Sequence, residues 1–154
     1  SLELSLATND MIAGQVWDTL PDFEKGTPPM ERLETIHHHK TGALIRCSCR
    51  MGAICGGADE AQLAGLTRYG EAIGLMFQVV DDLLDITQTS EHLGKTAGKD
   101  VDQGKLTYPA LIGVDASRKE VDRLRDEAYD ALKPLGDNAQ SLRDLCEFLA
   151  TRTK

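Results

Sequence analysis

Three carboxylates, Asp81, Asp82 and Asp85, sit in the run Phe77-Gln78-Val79-Val80-Asp81-Asp82-Leu83-Leu84-Asp85, and no other charged residue occurs between Glu71 and Glu91. On a helix Gln78, Asp81, Asp82 and Asp85 fall at i, i+3, i+4 and i+7 and make one polar stripe. Ile73, Phe77, Val80 and Leu84 form an apolar line beside it, and Leu75, Val79, Leu83 and Ile86 form another. The stripe is therefore expected to line an internal cavity rather than a solvated face. Two carboxylates about 6 Å apart repel by roughly 3 kcal/mol at an effective dielectric of about 20. That repulsion needs an offset, either a proton on one carboxylate or a bound cation. Aspartate oxygens suit a hard divalent ion, and Mg2+ takes only one or two protein carboxylates and fills its remaining positions with water and phosphate oxygens. The implied ligand carries phosphate.

Other residues bear on the same chemistry. Lys40 interrupts an apolar stripe of Leu33, Ile36, Leu44, Cys47, Met51 and Ile54, so its ammonium either snorkels to water or meets an internal anion. Its neighbours Thr41 and Gly42 admit a kink that would expose a carbonyl and a hydroxyl to the cavity. After the aspartates, Gly94-Lys95-Thr96-Ala97-Gly98-Lys99-Asp100 and Gly104-Lys105 gather lysines and glycines. The stretch either folds over a phosphate or is an ordinary charged loop. It is not a P-loop, because the required first glycine position is Thr89 and a helix, not a strand, precedes it. Gln15 and Asp18 share a face of the first helix, as a surface pair or as part of a site. His37-His38-His39 diverge by about 100° per residue on a helix and do not converge on one ion. Cys47, Cys49, Cys55 and Cys146 lack CxxC spacing and read as reduced packing residues.

The elements that must position these groups read as helices. With 154 residues and 41% hydrophobic content the chain can bury a real core. A formal charge of −8 leaves no basic face for a nucleic acid. No apolar run approaches the roughly 18 residues of a membrane span, and no basic segment leads into an apolar one at the N-terminus, so a cytoplasmic protein is expected. Helical spacing runs from 2 to 20, and Pro21 to Pro29 break it. A second helix with proline in its first turn runs to about Cys55 and stops at Gly56-Gly57. Asp59 with Gln62 opens a third, which carries the aspartates to about Thr87. Tyr108-Pro109 start a short segment, Ser117 with Glu120 suggest a capping box for the next helix with Gly136 closing it, and a last helix covers about 138 to 152. The fold class is all-α, an antiparallel bundle of about five or six helices.

Gly14-Gln15 with Asp18, His37 to Leu44 around Lys40-Thr41-Gly42, the aspartate run, and Gly94 through Thr107-Tyr108-Pro109 together resemble the trans-polyprenyl diphosphate synthases in order and spacing. The aspartate run resembles that family's second aspartate-rich motif. The resemblance covers nearly all of this chain but only the C-terminal half of such a synthase. The only adjacent aspartate pair is Asp81-Asp82, so a first aspartate motif and the upstream basic residues that hold isopentenyl diphosphate have no counterpart. The resemblance implies the C-terminal half of an isoprenoid synthase fold over residues 1–154. It implies a Mg2+-dependent prenyltransferase that condenses isopentenyl diphosphate with an allylic diphosphate, of the farnesyl diphosphate synthase type. Geranylgeranyl diphosphate synthase, class I terpene cyclase and non-catalytic helical subunit stand as alternatives. It implies Asp81, Asp82, Asp85 and Asp100 at the metal, and Lys40, Lys95 and Lys105 on diphosphate. Thr41, Gln78 and the Lys40 carbonyl would face the allylic cation, while Gln15 and Asp18 support the cavity wall. A half-bundle leaves apolar faces uncovered, so self-association is expected and isolated turnover is not.

Overall fold

The computed structural model describes residues 2–92 and 106–152, with backbone only for 87–92. Among the described residues seven α-helices follow in order: α1 (Leu2–Thr19), α2 (Pro29–His37), α3 (Ala43–Cys55), α4 (Glu60–His92), α5 (Tyr108–Ile112), α6 (Val114–Ala131) and α7 (Gln140–Thr151). Among the described residues there is no strand. The all-α expectation holds.

Local signals account for most of the ends. Proline stands in the first turn of α2, where its missing N–H costs nothing. After α3 the Ala58 N–H donates to the Ala53 carbonyl and the Gly57 N–H to that of Ile54, with Gly57 at φ 72°, a Schellman stop that satisfies the last carbonyls. The capping box that opens α4 is present. Asp59 Oδ1 accepts from the Gln62 N–H at 2.8 Å, and Gln62 Oε1 accepts from the Asp59 N–H at 3.1 Å. Thr107 caps α5 through its hydroxyl oxygen, which accepts from the Ala110 N–H.

One cap was misread. Ser117 lies inside α6, fully buried, its hydroxyl donating to the Gly113 carbonyl one turn back, while Glu120 engages Arg123. The helix starts three residues earlier, where Gly113 at φ 85° turns the chain in a way few other residues tolerate. Gly136 likewise does not close α6, which ends at Ala131. A 3-10 segment, Lys133–Ala139, follows.

The core forms around α4. Leu66, Tyr69, Ala72, Ile73, Leu75, Met76, Val79 and Val80 of that helix are buried together with Val121, Leu124 and Ala128 of α6. The Tyr69 hydroxyl donates to the Leu142 carbonyl at 2.7 Å and ties in α7. On its other side α4 presents Gly70 to α3 and Gly74 to the residue just before it, Gly42. A Cβ on Gly74 would lie 2.9 Å from the Gly42 Cα, so the two backbones approach as closely as glycine allows.

The second predicted helix is α2 and α3 joined by a single π turn, His38–Gly42. A π turn carries an extra residue, and each residue rotates a helix by about 100°, so the downstream core face shifts. Ile45, Cys49 and Ala53 pack on the main core, while Met51 and Ile54 of the expected stripe are exposed. Cys47 and Ala43 meet Ala7 of α1 instead. α1 buries Ala7 and Gly14 and turns Leu2, Leu6 and Val16 outward, and these three and Leu20 just past its end are each half or more exposed.

Candidate functional site

The aspartates ride on the second half of α4. Asp81 is half-buried and Asp85 is exposed. Gln78 Nε2 donates to Asp81 Oδ2 at 3.4 Å. The other Asp81 oxygen takes the Arg152 guanidinium, Nη2 to Oδ1 at 2.5 Å. The same nitrogen donates to the Phe77 carbonyl at 2.9 Å, and the guanidinium lies 4.0 Å from the centre of the Phe77 ring. Arg152 is 12% exposed, and its Nε is buried without a partner. The cation that faces this carboxylate therefore comes from the residue just after α7.

Asp82 leaves the stripe. It is 4% exposed, and its Oδ2 accepts from the Tyr108 backbone N–H at 3.0 Å and faces His37 Nε2 at 3.4 Å. His37 stacks on the Tyr108 ring, centroids 6.0 Å apart and planes 11° apart. The Tyr108 hydroxyl donates to Glu34 Oε1 at 3.1 Å. Burial, with the Glu34 carboxylate beside it, drives that phenol well above the usual tyrosine range. The expectation that all three carboxylates share one cavity is thus corrected. Neighbouring residues on a helix point about 100° apart, which lets Asp82 enter the core while Asp81 faces the open side. Among the described residues, the stripe lies on a partly exposed face of α4 and not in the internal cavity expected around it.

Lys40 sits in the π turn, and its Nζ donates to Asp18 Oδ2 of α1 at 2.6 Å. Both partners are half-buried, so the lysine neither snorkels freely nor stands against Asp81. Gly14 makes this pairing possible, since a Cβ there would fall on the Lys40 backbone nitrogen. Gln15 is exposed and donates along α1 to the Thr19 hydroxyl at 3.2 Å. Thr41 is half-buried in the π turn. Lys95, Asp100 and Lys105 lie outside the described residues.

The three histidines diverge as expected. His37 faces Asp82; His38 lines an outer cleft between α2 and α6; His39 Nδ1 donates to the Thr35 carbonyl at 2.8 Å and its ring meets the Trp17 ring edge-on. Burial holds the His38 imidazole below its usual range, against the pull of Glu34 and Glu71.

Among the described residues no group of three or more His, Cys, Asp or Glu is placed to hold a metal. Asp81 and Asp85 nonetheless stand one turn apart on α4 as hard oxygen donors. A pair of that kind fits an ion that takes one or two protein carboxylates and completes itself with phosphate and water. Sequence reasoning did not single out Arg152 or Tyr108 as functional. Arg152 follows the last helix with no local pattern around it, and Tyr108 entered only as the start of a short segment and as part of the Thr107-Tyr108-Pro109 motif, with no role attached.

The family model described as polyprenyl synthetase matches residues 3–145. The chain is 46% identical to geranylgeranyl pyrophosphate synthase 11, chloroplastic, of Arabidopsis thaliana, across 98% of this chain and 43% of that protein. It is 43% identical to the chloroplastic geranylgeranyl pyrophosphate synthase of Catharanthus roseus, across 96% and 41%. Among solved structures it is similar to an FPP/GFPP synthase from Zymomonas mobilis, with TM-score 0.78 and 27% identity over 96% of this chain and 49% of the other. A decaprenyl diphosphate synthase from Rhodobacter capsulatus gives TM-score 0.80 at 27% identity over 99% and 59%. The chain thus spans less than half the length of the curated relatives it matches. No described helix is long and apolar enough to cross a membrane.

Proposed function

The chain belongs to the polyprenyl synthetase family, and we propose that residues 1–154 are the C-terminal half of a synthase domain that joins isopentenyl diphosphate to an allylic diphosphate. Farnesyl diphosphate is the proposed product. Geranylgeranyl diphosphate is the second reading, favoured by the names of the relatives given above. The observation that best supports prenyl transfer is the meeting of two devices across one tight helix contact. α4 carries Asp81 and Asp85 on its open side, and the π turn carrying Lys40 and Thr41 is pressed on α4 where Gly42 meets Gly74.

In this reading Asp81 and Asp85 would hold Mg2+, and the family resemblance adds Asp100 to that role. Asp82 is left out of the ligand set because its carboxylate already serves Tyr108 and His37. When bound, Mg2+ supplies positive charge to the departing diphosphate. Lys40, Lys95 and Lys105 bind diphosphate oxygens, and such contacts lower the barrier to the extent that they strengthen as negative charge builds on the leaving group. Lys40 reaches that role from its present partner Asp18, which holds the ammonium on the wall of the site alongside Gln15. The Lys40 carbonyl, the Thr41 hydroxyl oxygen and the Gln78 amide oxygen face the allylic cation as the carbon–oxygen bond breaks. The alkene of isopentenyl diphosphate then attacks, and a proton is lost to the departing diphosphate.

The test compares the full-length protein with this chain, each given an allylic diphosphate, isopentenyl diphosphate and Mg2+. Full-length protein is expected to elongate the prenyl chain and residues 1–154 alone are not. Turnover by the full-length protein on the allylic substrate alone would instead mark a terpene cyclase. An upstream sequence without the first aspartate-rich motif, together with no turnover, would mark a helical subunit.

A further inference from the structure

We infer that the second aspartate of the pair, Asp82, is a positioning residue and not a metal ligand. It is the latch that fixes the rotation of α4 and the start of α5, and so aims Asp81. The inference rests on the prenyl-transfer reading for what Asp81 binds, but its geometry stands apart from it.

One carboxylate joins three helices. Asp82 of α4 accepts the Tyr108 N–H at the first residue of α5 and meets the His37 ring of α2. His37 in turn stacks on Tyr108, whose hydroxyl reaches back to Glu34, also on α2. The ring of contacts closes on itself. Its members are enclosed as well: Asp82 is 4%, His37 5% and Tyr108 2% exposed. Removing the acceptor would leave a buried N–H with no partner, the kind of loss a fold does not absorb quietly.

The consequence for Asp81 follows from helix geometry. With Asp82 clamped into the core, α4 cannot roll about its axis without breaking the Tyr108 contact. Asp81, one residue back, is then held about 100° away, toward Gln78 and Arg152. The same clamp sets where the chain re-enters at Leu106 and Thr107, since Thr107 caps the helix whose first N–H Asp82 holds. Groups that orient a metal ligand in this way are commonly worth about 10- to 100-fold in affinity.

The test uses this chain and three variants, D82A, D82N and D81N, with two readouts: hydrogen exchange of the Tyr108 amide by NMR, and calorimetric binding of inorganic pyrophosphate in Mg2+. D82N keeps a side-chain oxygen for Tyr108 but loses the charge a metal ligand needs. D82A is expected to expose the Tyr108 amide to exchange and to weaken Mg2+–pyrophosphate binding by about 10-fold. D82N should keep the amide protected and bind close to wild type, and D81N should keep the amide protected but lose binding. If D82N loses binding as fully as D81N, Asp82 is a ligand and the inference is overturned. Protection unchanged in D82A overturns it too, as does lost protection with binding intact. Should D82A not fold, D82N against D81N still decides. If wild type binds no Mg2+–pyrophosphate, the prenyl-transfer reading fails, while the exchange of Tyr108 in D82N and D82A still tests the latch.

Discussion

Gly14→Ala is the sharpest single perturbation of this fold, because the added methyl meets only backbone. Its Cβ would fall on the Lys40 backbone nitrogen and stand 2.7 Å from the His39 carbonyl carbon and from the Lys40 Cα, where ordinary contact begins at 3.4 Å, so α1 must move off the π turn by more than about 0.7 Å. Alanine in a helix interior gains about 1 kcal/mol over glycine. Overpacking costs about 1–3 kcal/mol, and the upper end applies where no flexible side-chain end can yield. The net is a loss of about 2 kcal/mol, a fall in Tm of roughly 4–8 °C for a chain of this size. Gly52→Ala is the internal control. It lies in α3, and its Cβ would meet nothing within 4 Å, so only the propensity gain remains and Tm should rise by about 2 °C. Both values come from thermal or urea unfolding followed by circular dichroism. A G14A chain as stable as wild type would refute the claim that the glycine exists to admit the π turn.

Further outcomes follow from other parts of the molecule. The chain should self-associate in sedimentation, because Leu2, Leu6 and Val16 of α1 and Leu20 just after it are uncovered; the double variant L6D/V16D should shift it toward monomer with its helicity intact, and concentration-independent monomer in the wild type would oppose this. Burial pushes the Cys49 and Cys146 thiols up to about 11, and Cys47 is buried while Cys55 is exposed. A thiol reagent at about pH 8 should therefore modify one cysteine quickly and the other three only on unfolding. Because those two thiols titrate higher in the folded chain than in the unfolded one, they favour the fold below pH 9.0, and this contribution is lost as pH rises toward about 11. Alkaline unfolding curves with and without C49A and C146A measure that loss, and a stability flat across the window would contradict it. EDTA should leave Tm unchanged to within about 1 °C, well under the roughly 2–4 °C that 1 kcal/mol would produce, because both Asp81 and Asp82 already have protein partners.

How far the sequence could be read depended on whether a signal was local. Asp59 with Gln62 and Gly56-Gly57 are decided within one turn of chain, and both ends formed where the residues indicated. Thr41-Gly42 hinted at a kink beside Lys40, and the π turn lies there. What periodicity did not reveal was the extra residue in that turn, so the stripe through Met51 and Ile54 was carried along the wrong face. Ser117 looked like a cap because serine three residues before glutamate is a local pattern, yet Gly113 had already started the helix. The partners of the aspartates were illegible for a different reason. Tyr108 and Arg152 stand 26 and 71 residues from the carboxylates they meet, and no spacing rule spans such distances.

The stripe itself shows why reading it as one electrostatic object misled. Treated together, three acids on one helix face demand a cation to hold them; the fold instead answers each residue separately. Asp82 is enclosed, and a hydrogen bond from an amide to a buried charged group contributes about 1.5–3 kcal/mol, so its contacts belong to the architecture. Asp81 is 39% exposed at its side chain, and ion pairs that water still reaches are typically worth about 0–1 kcal/mol. A carboxylate whose present partner contributes so little is one that a ligand with a stronger claim can take over. The adjacent pair therefore differs by burial: the residue turned inward is bound to the structure, and the residue turned outward is the one a ligand can reach.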